Sequence, residues 1–518
     1  MSLARDVTTV GAATLASRIL GFLRDAGIAA VLGAGPLSDA YFAALQIPNL
    51  FRRLLAEGAL NSAFVPMSLR IRDEDGPAAT QRFGEDVLGA AAASLCGLAV
   101  VCMIFAPEIV HVLAPGFGGE RLSLAAEFVR LSAPYVALSG MVAVAASALN
   151  AAGKVVAAAF GLVVFNGVLV AVVLALMVSG ALATSGTGAV LSAAMAVAGL
   201  AQLLCVGAAW LRLETGPRRL SFAMSPAVRR FCVRAVPGVV AGGIPQLNLM
   251  AGAMVASSAP AAVSWLYYAY RLYELPLGVI SVAIASVLGP AIAASVRSRD
   301  GRHTAGAQSR ALEIALALSL PAAVALAVLS QAIVGGLFQR GAFGPRDTAM
   351  VAAALAAISA GLPGHCLEKM MGAVSFAHED TRTPMFTALC GFVTALTGAM
   401  ILFPRYGHVG IASAIALSGW VGASLLAVIL WRRGWMRIEA ATWRRAPRIM
   451  LATVIMGGVI AAGDASLTSR FDVSGSAFAR IAMLGLIVAV GLGVYLLALQ
   501  VLGVTSVRIL LRAVRQRF

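Results

Sequence analysis

Charged side chains interrupt the first two long apolar stretches of this chain. Arg18, Arg24 and Asp25 lie in the first stretch, and Arg52 and Arg53 lie in the second. A charged side chain near the centre of a bilayer costs about 2.5–3.5 kcal/mol on insertion scales. Several such charges in two neighbouring helices therefore predict a water-filled cavity or a polar ligand.

The spacing of these charges predicts which of them share a helix face. Arg18 and Asp25 are seven residues apart, so they share one face, with Arg24 displaced around the helix. Arg53 and Glu57 are four residues apart, which permits an ion pair within one helix and leaves Arg52 free to face elsewhere.

Arginine outnumbers acid in these stretches and in a later one that holds Arg271 and Glu274. The charged residues concerned are Arg18, Arg24, Arg52, Arg53 and Arg271 against Asp25, Asp39, Glu57 and Glu274. Because guanidinium suits bidentate recognition of phosphate, this excess predicts an anionic, phosphorylated substrate. The alternative is that Asp39 and Glu57 pair with arginines only to lock helices together.

Composition defines the broad class. Of 518 residues, 60% are hydrophobic and only 12% are charged, and the mean hydropathy is +0.90. So few charges cannot cover a soluble surface, so we expect a polytopic inner-membrane protein. The net charge of +16 lies in short loops between apolar runs, which favours lipid head groups over nucleic acid as partners.

Apolar runs of about 20 residues predict fourteen membrane spans. They lie near 7–31, 39–66, 87–113, 125–150, 155–180, 187–211, 228–256, 262–292, 307–338, 347–376, 383–403, 409–432, 446–467 and 477–502. Basic residues concentrate in alternate loops, so the positive-inside rule predicts that both termini are cytoplasmic. The first span is too long and too charged for a signal peptide. A basic tail ends the chain, with Arg508, Arg512, Arg515 and Arg517.

Two basic connections divide the spans into groups. The first runs from Arg212 to Arg234, and the second runs from Arg432 to Arg448. We therefore predict an all-α protein with two pseudo-symmetric six-helix lobes, 1–215 and 216–436, followed by two C-terminal helices and the tail in 437–518.

Histidine and cysteine give no sign of a metal site. The five histidines are scattered among loops and span ends, which favours surface or loop roles. The six cysteines lie in or beside apolar runs without CxxC spacing, which favours buried, reduced thiols. Glu368 and Lys369 are adjacent within the tenth span, where we expect them to neutralise each other or to form a gating pair.

Five segments of the chain have a distinctive sequence: SRILGFLRD (Ser17–Asp25), LGAGPLSDAYF (Leu32–Phe42), IPNLFRRLLAEGALNSAFVP (Ile47–Pro66), SWLYYAYRLYELPLGV (Ser264–Val279) and DTRTP (Asp380–Pro384). Together they resemble the MurJ (MviN-type) lipid II flippases of the MOP exporter superfamily. The resemblance runs through all fourteen spans in order, and the block from Ser17 to Pro66 is close to a signature of that family.

The resemblance implies two lobes in a V around a cationic cavity, with the last two helices forming a groove for the undecaprenyl tail. It implies a transporter rather than an enzyme, which flips lipid II from the cytoplasmic to the periplasmic leaflet by alternating access. We expect no cofactor, with coupling by membrane potential or an ion. The expected partners are lipid II, membrane lipids and the cell-wall synthesis machinery, and we expect a monomer in the bacterial inner membrane.

The resemblance also implies roles for individual residues. It implies that the substrate is bound by Arg18, Arg24, Arg52, Arg271, Ser17, Asp25, Asp39 and Asn166. Support or gating would come from Arg53, Glu57 and Glu274. Three positions depart from the family pattern: Leu162 stands where many members have proline, Tyr270 replaces an acid, and the eleventh span carries no acidic residue for a cation site.

Two other functions remain as alternatives. An exporter of another polyprenyl-pyrophosphate-linked saccharide, or of drugs, would share the lobes, although drug exporters normally use acids for cationic substrates. A membrane-embedded glycosyltransferase is the alternative from a different class, and it would need a catalytic acid near the periplasmic face.

Overall fold

The computed structural model describes residues 2–56, 59–297, 301–470 and 477–504. Within these ranges the chain is helical and has no β-strand. The prediction of an all-α polytopic membrane protein is confirmed. Glu57 and the basic tail that begins at Arg508 lie outside the described residues.

The helices form two compact units, and each is described by itself. Unit 1 comprises Met1–Ser264 with Arg340–Gly344, and unit 2 comprises Trp265–Gln339 with Pro345–Phe518. The helices of unit 1 are α1 (Ser2–Leu32), α2 (Pro36–Ala56), α3 (Ala59–Ile104), α4 (Ala106–Leu113), α5 (Glu120–Ser132), α6 (Pro134–Ala151), α7 (Val155–Val178), α8 (Ser185–Leu211) and α9 (Pro226–Ala256).

Unit 2 begins within α10 and continues to the end of the described chain. Its helices are α10 (Ala262–Ala283), a π-helical turn (Ile284–Leu288), α11 (Gly289–Arg297), α12 (Gly301–Val328), α13 (Ser330–Phe338), α14 (Pro345–Ser359), α15 (Leu362–Ala377), α16 (Arg382–Arg432), α17 (Ala440–Arg470) and α18 (Ala477–Val501). Helix α9 packs on α2 and α3, within unit 1. The predicted divisions of the chain at 215 and 436 stay predictions.

Each predicted span falls on one helix or on two consecutive helices, except the eighth, which covers α10, the π-helical turn and the start of α11. Two long helices, α3 and α16, each hold residues of two predicted spans. A glycine with positive φ interrupts the helical path between the two spans: Gly76 in α3, at φ 84°, and Gly407 in α16, at φ 56°. Eight described helical stretches are long and apolar enough to cross a membrane, or nine if the bent pair α14–α15 is one span. The spans on α1, α9 and α10 fall outside that set, and all three contain charged residues.

Aromatic packing holds α3, α8 and α9 together in unit 1. The ring centroids of Phe64 and Phe83 lie 5.1 Å apart, and Phe231 of α9 meets both rings edge-on at 6.1 and 6.2 Å. Trp210 of α8 is 2% exposed in the same cluster. Each such aromatic pair is worth about 0.5–1.5 kcal/mol beyond the area it buries.

The last two helices pack on α12 in unit 2. Leu329, Ile449 and Leu499 are buried in the cluster that joins them. The hydroxyl of Tyr495 in α18 donates to the carbonyl oxygen of Ala317 in α12 at 2.7 Å, which satisfies a polar group inside an apolar contact. The implied lipid-tail groove on α17 and α18 stays a prediction.

Candidate functional site

The contact between α1 and α7 brings together four of the predicted site residues. The Arg24 guanidinium donates to Asp25 Oδ1 through Nε at 2.9 Å and Nη2 at 2.7 Å, and to Asn166 Oδ1 through Nη1 at 3.1 Å. The Asn166 amide nitrogen donates in turn to Ser17 Oγ at 3.1 Å and to the Ser17 carbonyl oxygen at 3.3 Å. These bonds define the α1–α7 polar cluster of Ser17, Arg24, Asp25 and Asn166.

Burial within the cluster differs between its two charged members. The Asp25 side chain is completely buried, whereas the Arg24 side chain keeps 19% of its surface exposed. A buried carboxylate is costly without a partner, and Arg24 supplies a charge-assisted one. Asp25 and Asn166 thus fix the direction of a guanidinium that still has accessible surface for an anion.

Tyr135 of α6 connects this cluster to Arg52. Its side chain is 1% exposed, and both Arg24 and Arg52 interact with it electrostatically. The Tyr135 ring stacks on Phe165 with centroids 5.0 Å apart, next to Asn166 in the chain. Tyr135 was not predicted as a site residue, because nothing in the sequence around it distinguishes it from a core aromatic.

The other predicted arginines of unit 1 have different surroundings. Arg18 is exposed on α1, whereas Asp25, predicted to lie on the same helix face, is buried. The two side chains therefore differ in their exposure. Arg52 and Arg53 are half-buried on α2. Their roles in substrate binding and gating stay predictions, as does the Arg53–Glu57 pair, whose acid lies outside the described residues.

Asp39 of α2 binds the start of α10 and is not part of the α1–α7 polar cluster. It is completely buried, and its two carboxylate oxygens accept backbone hydrogen bonds from Ala261 at 2.7 Å and Ser264 at 2.8 Å. Ala261 has a positive φ of 65°, an uncommon conformation that these bonds stabilise. This geometry gives Asp39 a structural role; the predicted role in substrate binding stays a prediction.

In unit 2, the predicted pair of Arg271 and Glu274 is present. Arg271 Nη1 lies 3.3 Å from Glu274 Oε2, at the i, i+3 spacing that permits contact on a helix. Both side chains are about one-quarter exposed, at 24% and 27%. Arg271 is therefore partly neutralised within its own helix.

His365 does not lie in a loop, as its sequence context suggested, but within helix α15. Its Nδ1 lies 2.8 Å from the hydroxyl of Tyr273, which is 1% exposed in α10. Spacing within the sequence could not have revealed this contact, since the two partners are 92 residues apart in the chain.

Long apolar helices that carry arginine and amide groups inside their spans are typical of multi-pass membrane transporters. The family model of the lipid II flippase MurJ matches residues 28–482. The chain is 37% identical over 467 residues, 89% of its length, to the probable lipid II flippase MurJ of Rhizobium meliloti, of which it covers 86%. It is 36% identical to the probable lipid II flippase MurJ of Rhizobium tropici, with 100% of this chain and 97% of the relative covered. The chain belongs to the lipid II flippase MurJ family.

Solved structures agree on the fold. A lipid II flippase MurJ in an inward closed conformation matches with a TM-score of 0.78 at 23% identity, over 95% of this chain and 98% of that one. An inward-facing multidrug resistance MATE family transporter of the MOP superfamily matches with a TM-score of 0.64 at 16% identity, over 80% and 94%. The curated relatives are named flippases, which are transporters rather than enzymes.

Proposed function

We propose that this chain flips lipid II, the polyprenyl-pyrophosphate-linked peptidoglycan precursor, from the cytoplasmic to the periplasmic leaflet of the inner membrane. Membership of the flippase family supports the substrate class. The observation that carries the proposal for this chain is the Arg24 guanidinium, which Asp25 and Asn166 hold in place while 19% of its surface stays exposed. A guanidinium fixed in this way is suited to bind a pyrophosphate.

The proposed mechanism is alternating access. The pyrophosphate head would bind first to arginines that face the cytoplasm, and the lipid tail would stay in the membrane, so that only the polar head crosses the hydrocarbon layer. Each half would move largely as a rigid body. Relatives with the same fold have been solved in inward-facing and outward-facing conformations, which supports such a cycle.

Arg18, Arg52 and Arg271 are proposed as further ligands of the head group, and Arg53 and Glu274 as supporting residues. We propose that both termini are cytoplasmic, because basic residues concentrate in the loops on that side. Transport would need no bound cofactor. A membrane potential acts with about 2.3 kcal/mol per charge per 100 mV, enough to reset a carrier with charged helices. Membrane lipids and the cell-wall synthesis machinery remain proposed partners of a monomeric protein.

Complementation of a flippase-depleted strain tests this proposal. The parent chain should restore lipid II exposure at the periplasmic face, and Arg24→Ala should insert into the membrane at matched levels without restoring it. Arg70→Ala is the matched control, since Arg70 is 68% exposed and pairs with Glu74 on the surface of α3. A parent chain that inserts but never restores exposure would refute the assignment.

A further inference from the structure

The tenth predicted span is broken at its middle. Helix α14 ends at Ser359 and α15 begins at Leu362, and their axes differ by 41°. The break frees backbone carbonyl groups, which need partners inside a membrane. Trp420 Nε1 of α16 donates to the carbonyl oxygen of Ala360 at 2.9 Å. The Gly361 carbonyl oxygen accepts the His365 backbone N–H at 3.0 Å and lies 3.1 Å from His365 Nδ1.

Two titratable side chains follow the break, one helical turn apart, against glycines of α16. The His365 ring occupies the space at Gly419, where an added Cβ would lie 2.5 Å from Nδ1. The Glu368 carboxylate occupies the space at Gly422, where an added Cβ would lie 2.7 Å from Oε1. Because positions three apart lie on one helix face, both glycines make room for groups on the same face of α15.

Tyr273 extends this group from α10. Its hydroxyl lies 2.8 Å from His365 Nδ1, and its ring is buried. The same nitrogen is within reach of the Gly361 carbonyl oxygen, so the imidazole links a hydroxyl on one helix to the break in another.

Glu368 differs from Glu313, another carboxylate inside a helix. Among the described residues, the Glu368 oxygens have no hydrogen-bond or ion-pair partner, whereas Glu313, inside α12, accepts bonds from Thr442 and Arg445. Lys369, the next residue, is exposed and acts on Glu368 electrostatically without forming an ion pair with it in the described residues. An ionised carboxylate inside a membrane span without a partner is costly, and taking up a proton removes that cost.

We propose that Glu368, with His365 and Tyr273 beside it, is a proton-binding site of unit 2. The Glu368 carboxylate takes a proton from hydronium, forming an O–H bond, and the hydronium becomes a water molecule. In a later conformation the O–H bond breaks and the proton returns to water. Glu368 is half-buried, so part of its side chain stays accessible. Discontinuous membrane helices commonly bind the coupling ion of a transporter.

The surroundings contain few other titratable groups. Tyr270 of α10 and Cys366 and Lys369 of α15 are the groups that act electrostatically on this site. Helix α16 faces it with Gly419 and Gly422. Helices α11 and α12 also pack on α15, and they contribute no titratable group to these interactions among the described residues.

Infrared difference spectroscopy on the full chain in lipid nanodiscs tests proton binding directly. Between samples at about pH 6 and about pH 9, where exposed carboxyls stay ionised, the parent protein should show the C=O band of a protonated carboxyl, and Glu368→Gln should lose intensity in that band. Glu379→Gln is the matched control, because Glu379 is exposed in the loop after α15 and should leave the band unchanged. A band of equal intensity in Glu368→Gln and the parent overturns the proposal.

A second variant keeps the test decisive if Glu368→Gln does not fold. Gly422→Ala would place a methyl group against the carboxylate and should shift the pH at which the band disappears. Gly458→Ala, at a helical glycine with open space around it, should leave that pH unchanged. Equal titration of the two variants would also overturn the proposal.

A coupling role for this proton rests on the proposed function and needs a transport assay. In proteoliposomes, an imposed pH gradient should change the rate at which the parent chain flips labelled lipid II, and in Glu368→Gln the ratio of rates with and without the gradient should fall to one. An unchanged ratio overturns coupling through Glu368. If the band titrates but neither protein flips lipid II, the proposed function fails while the proton site stands.

Discussion

Asn166 on α7 accepts a hydrogen bond from the Arg24 guanidinium on α1 at 3.1 Å. The orientation of a cation inside one membrane helix thus depends on an uncharged amide in another. The same amide group donates to Ser17 and to the Leu162 carbonyl oxygen, so its own position is fixed on both helices. The orientation of Arg24 therefore depends on hydrogen bonds from α7 as well as on its own helix.

Replacement of Asn166 by alanine should therefore reduce transport without removing the arginine. A hydrogen bond to a charged group is worth about 1.5–3 kcal/mol, which corresponds to a rate about tenfold to a hundredfold lower if the oriented guanidinium binds the substrate in the rate-limiting step. The measurement is the rate of lipid II exposure at matched expression.

Asn150→Ala is the control for this prediction. Asn150 donates to Asn61 at 3.1 Å, so this variant also breaks an amide bond between two helices of unit 1, but one that touches no arginine. Equal transport in the two variants would show that Arg24 does not need its amide partner.

The fold class and the α1–α7 polar cluster follow from sequence to different degrees. Apolar runs predicted the helices, and α2, which contains Pro48 and covers 36–56, overlaps the second span expected at 39–66. The direct bond from Arg24 to Asp25 was not predicted, because adjacent residues point about 100° apart on a helix and only a long guanidinium side chain can curl back to its neighbour.

Long-range partners could not be predicted from one sequence. Asp39 carries the same charge as Asp25 and lies in a similar apolar context, yet its carboxylate binds backbone N–H groups more than 220 positions away. Which helices become neighbours decides between a structural carboxylate and one that faces a ligand. Spacing within a helix contains no information on that choice.

Replacement of Asp39 by asparagine should destabilise the protein. The amide retains one acceptor where the carboxylate has two, so one of the backbone groups of Ala261 and Ser264 loses its partner. The expected loss is about 1.5–3 kcal/mol, measured as a lower thermal midpoint in detergent.

Lipid II binding by the fraction of this variant that remains folded should be unchanged. Ser264→Ala, which keeps the backbone N–H group, should lose less stability. A stable Asp39→Asn protein that no longer binds lipid II would instead place Asp39 in the substrate site.

The connection between α8 and α9 should detach from α3 when Glu85 is replaced. Glu85 accepts a bond from the Arg218 backbone N–H at 2.8 Å, and Asp86 accepts one from the Ser221 hydroxyl at 2.5 Å. In Glu85→Gln, trypsin should cleave after Arg218 or Arg219 about tenfold faster, since cleavage follows the population of the open state. Trypsin should cleave the Glu74→Gln variant, which is altered on the exposed surface of the same helix, at the parent rate.

The same connection should loosen in acid. Burial raises the pKa of Glu85, but hydrogen bonds from the Arg218 backbone and the Gln81 side chain outweigh burial, so the pKa lies below its ordinary value of 4.5. A carboxyl with a lowered pKa contributes stability above its unfolded pKa and loses it as the pH falls below that value. Hydrogen exchange in 212–225, corrected for intrinsic pH effects, should rise below about pH 4.5 in the parent and show no such step in Glu85→Gln.

Asp380, in the loop between α15 and α16, should contribute stability down to a lower pH than Glu85 does. The Thr383 hydroxyl and backbone N–H bind its carboxylate and Arg433 pairs with it, so the pKa of Asp380 falls to about 2. Its contribution to stability should be complete above about pH 4, the pKa of the carboxyl in the unfolded chain, and should disappear as the pH falls toward 2. The difference in thermal midpoint between the parent and Asp380→Asn should therefore be constant from neutral pH to about pH 4 and shrink below it. A difference that already shrinks between pH 7 and pH 5 would contradict this assignment. Thr383→Val, which removes the strongest of these bonds, should make the difference at neutral pH smaller and leave the pH at which it begins to shrink unchanged.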